Sequence, residues 1–431
     1  MRKRLTVVTV GCKANFADSA SIVREAISAG FEVVIPAHRD ADVVIVNSCA
    51  VTHRADRDSR AAVRRARRDH PGASVILTGC YARVSPGARD TLREADHWIG
   101  AGENGALSSL LREIGGKDPA EPAPLSEHAA DLLLGHRRTF LKIQDGCDFR
   151  CAYCVVPRAR GKSRSLPERE ILDRAVAAER DGARELVITG IHIGLYGADR
   201  GEKGGLARLI PLILKETGRA RLRLSSIEPM ELTDDLLDLI GREKRICPHL
   251  HIPLQSGSDK TLARMRRPYD VRGYEDTVLR VASRVPDARV GADVIVGLPG
   301  ETSADFEETV RFLGSAPVNY LHVFPYSARE GTESAQWKDD VHAREKKERV
   351  SRLLRLDADK RARYLRSIVG KELEVLAETF YPDRAELAGT SGNYVEVMFP
   401  GESAEVGGLY RIRATAVMGR GMAGMREPRD V

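Results

Sequence analysis

The chain has 431 residues, of which 42% are hydrophobic and 30% charged, with a formal net charge of +6. This length exceeds one ordinary core, the composition excludes a disordered or fibrous protein, and no apolar run approaches the roughly 20 residues of a membrane-spanning helix. The seven cysteines are odd in number and scattered, which argues against a secreted disulfide framework and for metal-bound thiolates in a reducing cytoplasm.

At the start, Met1-Arg2-Lys3-Arg4 leads into an apolar run of only Leu5 to Val10, too short for a secretory signal but enough for a first strand. Further runs at Phe31 to Ile35, Val43 to Val46 and Val75 to Leu77 alternate with helix-like stretches, the rhythm of parallel βαβ units. They predict an open, doubly wound α/β domain over residues 1–115. Within it Arg54, Arg57, Arg60, Arg64, Arg65, Arg67 and Arg68 crowd one segment, which is either a stripe suited to a polyanion or a solvated helix face. Residues 116–137, rich in Gly, Pro and charge, read as a linker.

Six more strand-like runs follow, at Phe140 to Ile143, Glu185 to Thr189, Leu222 to Ser225, Leu250 to Leu254, Val294 to Val296 and Leu321 to Phe324. They predict a partial (β/α)6 barrel over 138–368, with functional residues at the carboxyl ends of its strands. Arg344 to Ile368 reads as a long charged helix leading out of it. Residues 369–431 change to short β runs between Gly and Pro turns, predicting a small β-barrel. It reads as self-contained, so that its removal leaves the larger barrel folded.

The sharpest signal is Cys147-Asp148-Phe149-Arg150-Cys151-Ala152-Tyr153-Cys154, a CxxxCxxC motif directly after the first strand of the expected barrel. Three thiolates can hold three irons of a four-iron cubane, leaving one iron open. The amino and carboxylate groups of S-adenosylmethionine can chelate that iron, and an electron from the cluster then yields a 5′-deoxyadenosyl radical. Zinc bound by three Cys and a water competes for the same spacing. A second set is spread out: Cys12, Cys49 and Cys80 each end a strand run, Val7 to Val10, Val43 to Val46 and Val75 to Leu77. In a parallel sheet those ends share one edge, where ligands collect, so these thiols can hold a second cluster; three separate buried cysteines are the alternative. Cys247 has no partner at metal spacing and reads as structural.

These residues resemble the methylthiotransferase family over essentially the whole chain. Gly11-Cys12-Lys13-Ala14-Asn15, Asn47-Ser48-Cys49-Ala50-Val51-Thr52 and Thr78-Gly79-Cys80-Tyr81-Ala82 are similar to its auxiliary-cluster motifs, and Ile143-Gln144-Asp145-Gly146-Cys147 and Ala159-Arg160-Gly161-Lys162-Ser163-Arg164-Ser165 to its radical core. Gly392-Asn393-Tyr394-Val395 lies in a stretch similar to the TRAM module that binds tRNA. The resemblance is greatest to the branch acting on N6-threonylcarbamoyladenosine beside the anticodon; sister branches act on isopentenyladenosine in tRNA or on an aspartate of a ribosomal protein. Leu166 departs from the family, where another Arg often stands.

The resemblance implies two 4Fe-4S clusters, one on Cys12, Cys49 and Cys80 and one on Cys147, Cys151 and Cys154. S-adenosyl-L-methionine would meet Tyr153, Gly190, Ser226, Gln255 and Asp293, polar groups at strand ends that can equally be satisfied structural groups, while Arg158, Arg160 and Arg164 would face substrate phosphate or carboxylate, or lie in a solvated loop. It implies a cytoplasmic enzyme with tRNA as partner, an unidentified electron donor and an unidentified sulfur source, and no membrane. A non-enzymatic, metal-bound RNA-binding scaffold is the rival from another class; three-ligand sites with an open position argue against it.

Overall fold

The computed structural model describes residues 2–34, 41–115 and 125–426. Ile35, residues 116–124 of the expected linker and the final 427–431 lie outside the described residues. The chain divides into two compact units: Met1–Gly182 with Ile188–Lys203 and Ser327–Ala335, and Ala183–Val187 with Gly204–Tyr326 and Gln336–Val431.

The first unit opens with β1 (Arg4–Thr9), α1 (Lys13–Ser28), β2 (Glu32–Val33), β3 (Val43–Ser48), α2 (His53–Asp69), β4 (Ser74–Gly79), α3 (Cys80–Val84), β5 (His97–Gly100) and α4 (Asn104–Gly115). The strands form a parallel sheet in the order β2-β1-β3-β4-β5. Every residue of β3 is buried, as a central parallel strand covered on both faces requires. Val43 and Ile45 pack with Val23 and Leu107 on one face; Val44 and Val46 pack with Val63 and Ala66 of α2 on the other. Successive side chains on a strand point to opposite faces, so an uninterrupted apolar run serves two helical layers.

The stretch expected as linker holds a helix, α5 (Glu127–Leu133), capped by Ser126 accepting from Ala129 N–H at 3.1 Å. Its Ala130 is fully buried in the first face's core. Seven residues are too few for hydrophobic periodicity to stand out beside Gly and Pro. Beyond it come β6 (Thr139–Lys142), β7 (Gln144–Asp145), α6 (Val156–Arg160), β8 (Arg164–Ser165), α7 (Glu168–Arg180) and β9 (Glu185–Thr189), whose last two residues still belong to this unit.

In the second unit, the start of β9 neighbours β10 (Arg221–Leu224). Isolated parallel bridges Leu222↔Ile246 and Ser226↔His251 join β10 to β11 (His249–His251), which continues into β12 (Arg289–Val296) and β13 (Tyr320–Pro325) in parallel register. Helices α8 (Gly205–Glu216), α9 (Asp234–Arg242), α10 (Asp259–Arg264), α11 (Val271–Arg284) and α12 (Ser303–Ser315) connect them, and α13 (Ala343–Ser367) packs on β13. The parallel βα rhythm expected from the sequence is present.

The C-terminal strands β14 (Glu372–Tyr381), β15 (Glu386–Ser391), β16 (Glu396–Pro400), β17 (Leu409–Met418) and β18 (Gly421–Arg426) close into a barrel in the order β14-β15-β16-β18-β17. This barrel is bolted to the parallel strands, contrary to the expectation of a self-contained module. Arg221 and Arg223, 4% and 0% exposed, pair with fully buried Glu185 at 2.6 and 2.7 Å. They also donate to the carbonyl oxygens of Glu374, Thr390, Ser391 and Gly392 at 2.7–2.9 Å. Arg289 donates to the Tyr394 carbonyl at 2.6 Å, and the Tyr394 ring stacks on His249 at 4.5 Å. A buried guanidinium needs acceptors in a fixed fork; sequence does not say which distant carbonyls provide them.

Candidate metal centre

Because β1, β3 and β4 are adjacent, the residues that follow them emerge side by side. Cys12 caps α1, Cys49 follows β3 directly and Cys80 opens α3. Gly11 holds φ +127°, and a Cβ there would lie 2.8 Å from Cys49 Cβ and 3.2 Å from its Sγ, so the first and second loops touch and only glycine fits. Cys12 is exposed, while Cys49 and Cys80 are buried. Burial pushes the Cys49 thiol up to about 12, with Cys12 and Cys80 close enough to raise it further. Burial raises Cys80 as well, opposed by the Arg160 guanidinium. Two buried thiols that resist ionisation by themselves, beside a third, are suited to an electropositive core that compensates their thiolates.

The second trio lies in the same unit. Cys147 N–H donates to the Gly161 carbonyl at 3.1 Å and Cys154 N–H to the Cys151 carbonyl at 3.0 Å, and all three cysteines are half-buried. Gln144, fully buried, holds the loop: its Nε2 donates to the Gly146 carbonyl at 2.7 Å and Ser163 Oγ at 2.8 Å, while its Oε1 accepts from His192 N–H at 2.8 Å. His192 Nδ1 sits 3.5 Å from Cys147 Sγ, with its ring edge-on to Phe149 at 4.6 Å. Gln144 stands inside a motif of the resemblance, but nothing in the spacing of Gln144 or His192 marks these roles.

Among the described residues, His251, Asp293 and His322 form a group whose donor atoms all lie within 4.8 Å of one another.

Arg160 does not face solvent or substrate as expected. It is buried at the end of α6, its Nε 3.3 Å from Cys80 Sγ and its Nη2 donating to Asn15 Oδ1 at 2.6 Å. Its Nη1 meets Asp18 at 2.6 Å and Asp145 at 3.3 Å, and Lys142 bridges the same two carboxylates at 2.7 and 2.5 Å. Asp18 is held below the usual carboxylate range: burial opposes this, but Lys142 and Arg160 outweigh it. α3 packs on α6, and Ala159 joins Cys80, Tyr81 and Ala82 in one apolar core. Arg158 hydrogen-bonds the Glu330 carbonyl, and Arg164 lines a cavity of about 370 Å³ with Asp18, Lys142 and Arg174.

The five expected S-adenosylmethionine contacts fall in both units. In the first, Tyr153 is half-buried between Ala152 and Cys154. A Cβ at Gly190 would lie 2.8 Å from the Gln144 carbonyl, so the close approach this glycine permits is made by Gln144. In the second, Ser226 is exposed beyond β10. Gln255 adopts φ +71° and donates its N–H to the Asp293 carbonyl at 2.8 Å; such backbone strain concentrates at functional positions. Asp293 Oδ1 accepts from His251 Nε2 at 3.0 Å and His322 Nδ1 at 3.2 Å. Despite burial, those two imidazoles hold its carboxyl well below the usual range. Neither histidine stands out in the sequence.

Parallel βα strands fronted by a CxxxCxxC loop define a radical S-adenosylmethionine enzyme. The radical SAM superfamily profile matches residues 141–313, and that of an uncharacterized protein family, UPF0004, matches 4–100. The threonylcarbamoyladenosine tRNA methylthiotransferase MtaB of Bacillus subtilis is 34% identical over 94% of this chain and 92% of its own, and that of Aquifex aeolicus 37% over 94% and 98%. The tRNA-2-methylthio-N(6)-dimethylallyladenosine synthase of Clavibacter michiganensis is 32% identical over 86% and 72%. The chain belongs to the methylthiotransferase family, and as a member it is a transferase using S-adenosyl-L-methionine and two 4Fe-4S clusters. The fold also resembles the radical S-adenosylmethionine methyltransferase TsrM of Kitasatospora setae, with a TM-score of 0.55 over 75% of this chain and 73% of that one at 15% identity.

Proposed function

We propose that the chain is a tRNA methylthiotransferase that converts N6-threonylcarbamoyladenosine next to the anticodon to its 2-methylthio derivative. The observation that carries this reading is the presence, in one compact unit, of two separate three-thiol sites, each short of one ligand for a four-iron core. Cys147, Cys151 and Cys154 hold the cluster that engages S-adenosylmethionine; Cys12, Cys49 and Cys80 hold the auxiliary one. When bound, these groups supply reductive cleavage of a sulfonium and a methylated sulfur for C2 of the adenine.

The remaining work falls to the chain. Gln144 fixes the loop of the first trio and the backbone of His192 in one set of hydrogen bonds, which holds reacting parts in register. Tyr153, Gly190, Ser226, Gln255 and Asp293 bind S-adenosylmethionine. Residues 1–115 carry the auxiliary site, 138–368 the radical core and 369–431 a TRAM-like tRNA-binding module. The enzyme works in the cytoplasm with an electron donor and a sulfur source of its host; no helix among the described residues is long and apolar enough to cross a membrane.

Anaerobic reconstitution should load about eight irons per chain, and replacing Cys12, Cys49 and Cys80 by Ala should halve that number. The triple variant should still cleave S-adenosylmethionine and form no methylthio product. Mass spectrometry of tRNA nucleosides from a strain lacking the gene should show loss of 2-methylthio-N6-threonylcarbamoyladenosine. Persistence of that nucleoside, with loss of the isopentenyl derivative, would assign the chain to the sister branch.

A further inference from the structure

We propose that Arg160 is a positioning residue that sets the reduction potential of the auxiliary cluster through its contact with Cys80. The inference rests on the reading that Cys12, Cys49 and Cys80 hold that cluster. Arg160 comes six residues after Cys154 and ends α6, so the segment carrying one trio delivers a cation to the other. Its Nε lies 3.3 Å from Cys80 Sγ, a charge-assisted N–H···S contact. The same side chain reaches Asn15 Oδ1, and Asn15 Nδ2 donates to the Val10 and Ser48 carbonyls at 2.8 and 3.0 Å. Through one residue, Arg160 therefore ties together the loops that carry all three thiols.

The charge count gives the direction. Around the contact stand two cations, Arg160 and Lys142, and two carboxylates, Asp18 and Asp145. Reduction adds one negative charge to the cluster and its thiolates. A buried guanidinium in contact with a ligand sulfur favours that added charge strongly, because little water screens it. Without Arg160 the surroundings carry a net negative charge and the reduced state is disfavoured; without the Asp18 charge they carry a net positive one and it is favoured.

The test is an EPR-monitored redox titration of the full chain, reconstituted with Cys147, Cys151 and Cys154 replaced by Ala so that the auxiliary signal stands alone. R160Q should lower the potential by enough to change the oxidised-to-reduced ratio at least tenfold at fixed potential, which for one electron is about 59 mV. D18N should raise it, and R160K, which keeps the charge but loses the fork, should fall between R160Q and the parent. If R160Q fails to fold or to hold iron, D18N decides, since it leaves the Cys80 contact in place. Unchanged potentials in iron-replete R160Q and D18N, or an unchanged D18N alone, overturn the proposal. If the parent holds no cluster once the three cysteines are gone, the two-cluster assignment fails instead, a result visible in the iron count before any potential is measured.

Discussion

Lys360 is a cation buried in the fold. It lies in α13 at 6% exposure, its Nζ donating to the Ala316 carbonyl at 3.0 Å. Burial, with a smaller push from Arg363, lowers its pKa to about 8. Between about 8 and the unfolded value near 10.4 the unfolded chain binds the extra proton, so stability rises with pH across that window. Below it the fold bears the full penalty of a buried ammonium. K360M removes the penalty, and the Ala316 carbonyl keeps its bond from Val318 N–H at 2.8 Å. The variant should be more stable at pH 7 by about 1 kcal/mol or more, given roughly 1.4 kcal/mol per pKa unit. Urea melts from pH 7 to 10 should show its advantage shrinking as pH rises; a constant difference would mean that Lys360 is not buried as a strained cation.

At the level of secondary structure, β9 and β10 are joined by charge as well as by backbone. Arg221 and Arg223 stand two apart on β10, on one face, and both reach Glu185 of β9. Removing one partner of such a buried group leaves the others uncompensated at a cost of about 3–5 kcal/mol. E185A should lose that much, read from urea midpoints at constant m-value. Because the same arginines hold carbonyls of β15 and its turn, hydrogen exchange should speed up in β15 together with β10. Fast exchange confined to β10 would mean that the two elements do not share one cooperative unit.

For the chain as a whole, the consequence is that cutting at residue 370 is a poor test of RNA binding. Truncation strips acceptors from Arg221, Arg223 and Arg289, so the shortened chain should unfold or aggregate rather than keep its parallel strands. RNA binding is better probed on the full chain through α2, where Arg54, Arg57, Arg64, Arg65 and Arg68 are exposed. Arg54, Arg64 and Arg68 pair with Asp58, Glu94 and Asp69, which makes Arg57 and Arg65 the cleaner choices. R57E with R65E should weaken tRNA binding and flatten its salt dependence by about 0.7–0.9 in log–log slope for each phosphate that the protein no longer neutralises. Equal affinities and slopes across a potassium chloride series would remove α2 from the RNA surface.

The strand rhythm, the doubly wound α/β start, the C-terminal β-barrel and both cysteine trios are legible without any coordinates. Each is written in local signals: apolar runs of strand length, Gly and Pro at turns, and thiols just beyond strand ends. Packing settled the strand order that sets β1, β3 and β4 side by side, and the docking of α5. Packing also turned Arg160 inward to Cys80, placed His192 beside Cys147, and gave His251 and His322 to Asp293. These join residues far apart in the chain, and an arginine after a metal loop reads the same whether it meets solvent or a buried carboxylate. Its direction is chosen by which elements pack around it, since a guanidinium buries only where enough acceptors converge. For the same reason the C-terminal barrel looked separable: its strands are legible from alternation and turns, but the three buried arginines that bind it to the rest sit more than 80 residues away in sequence.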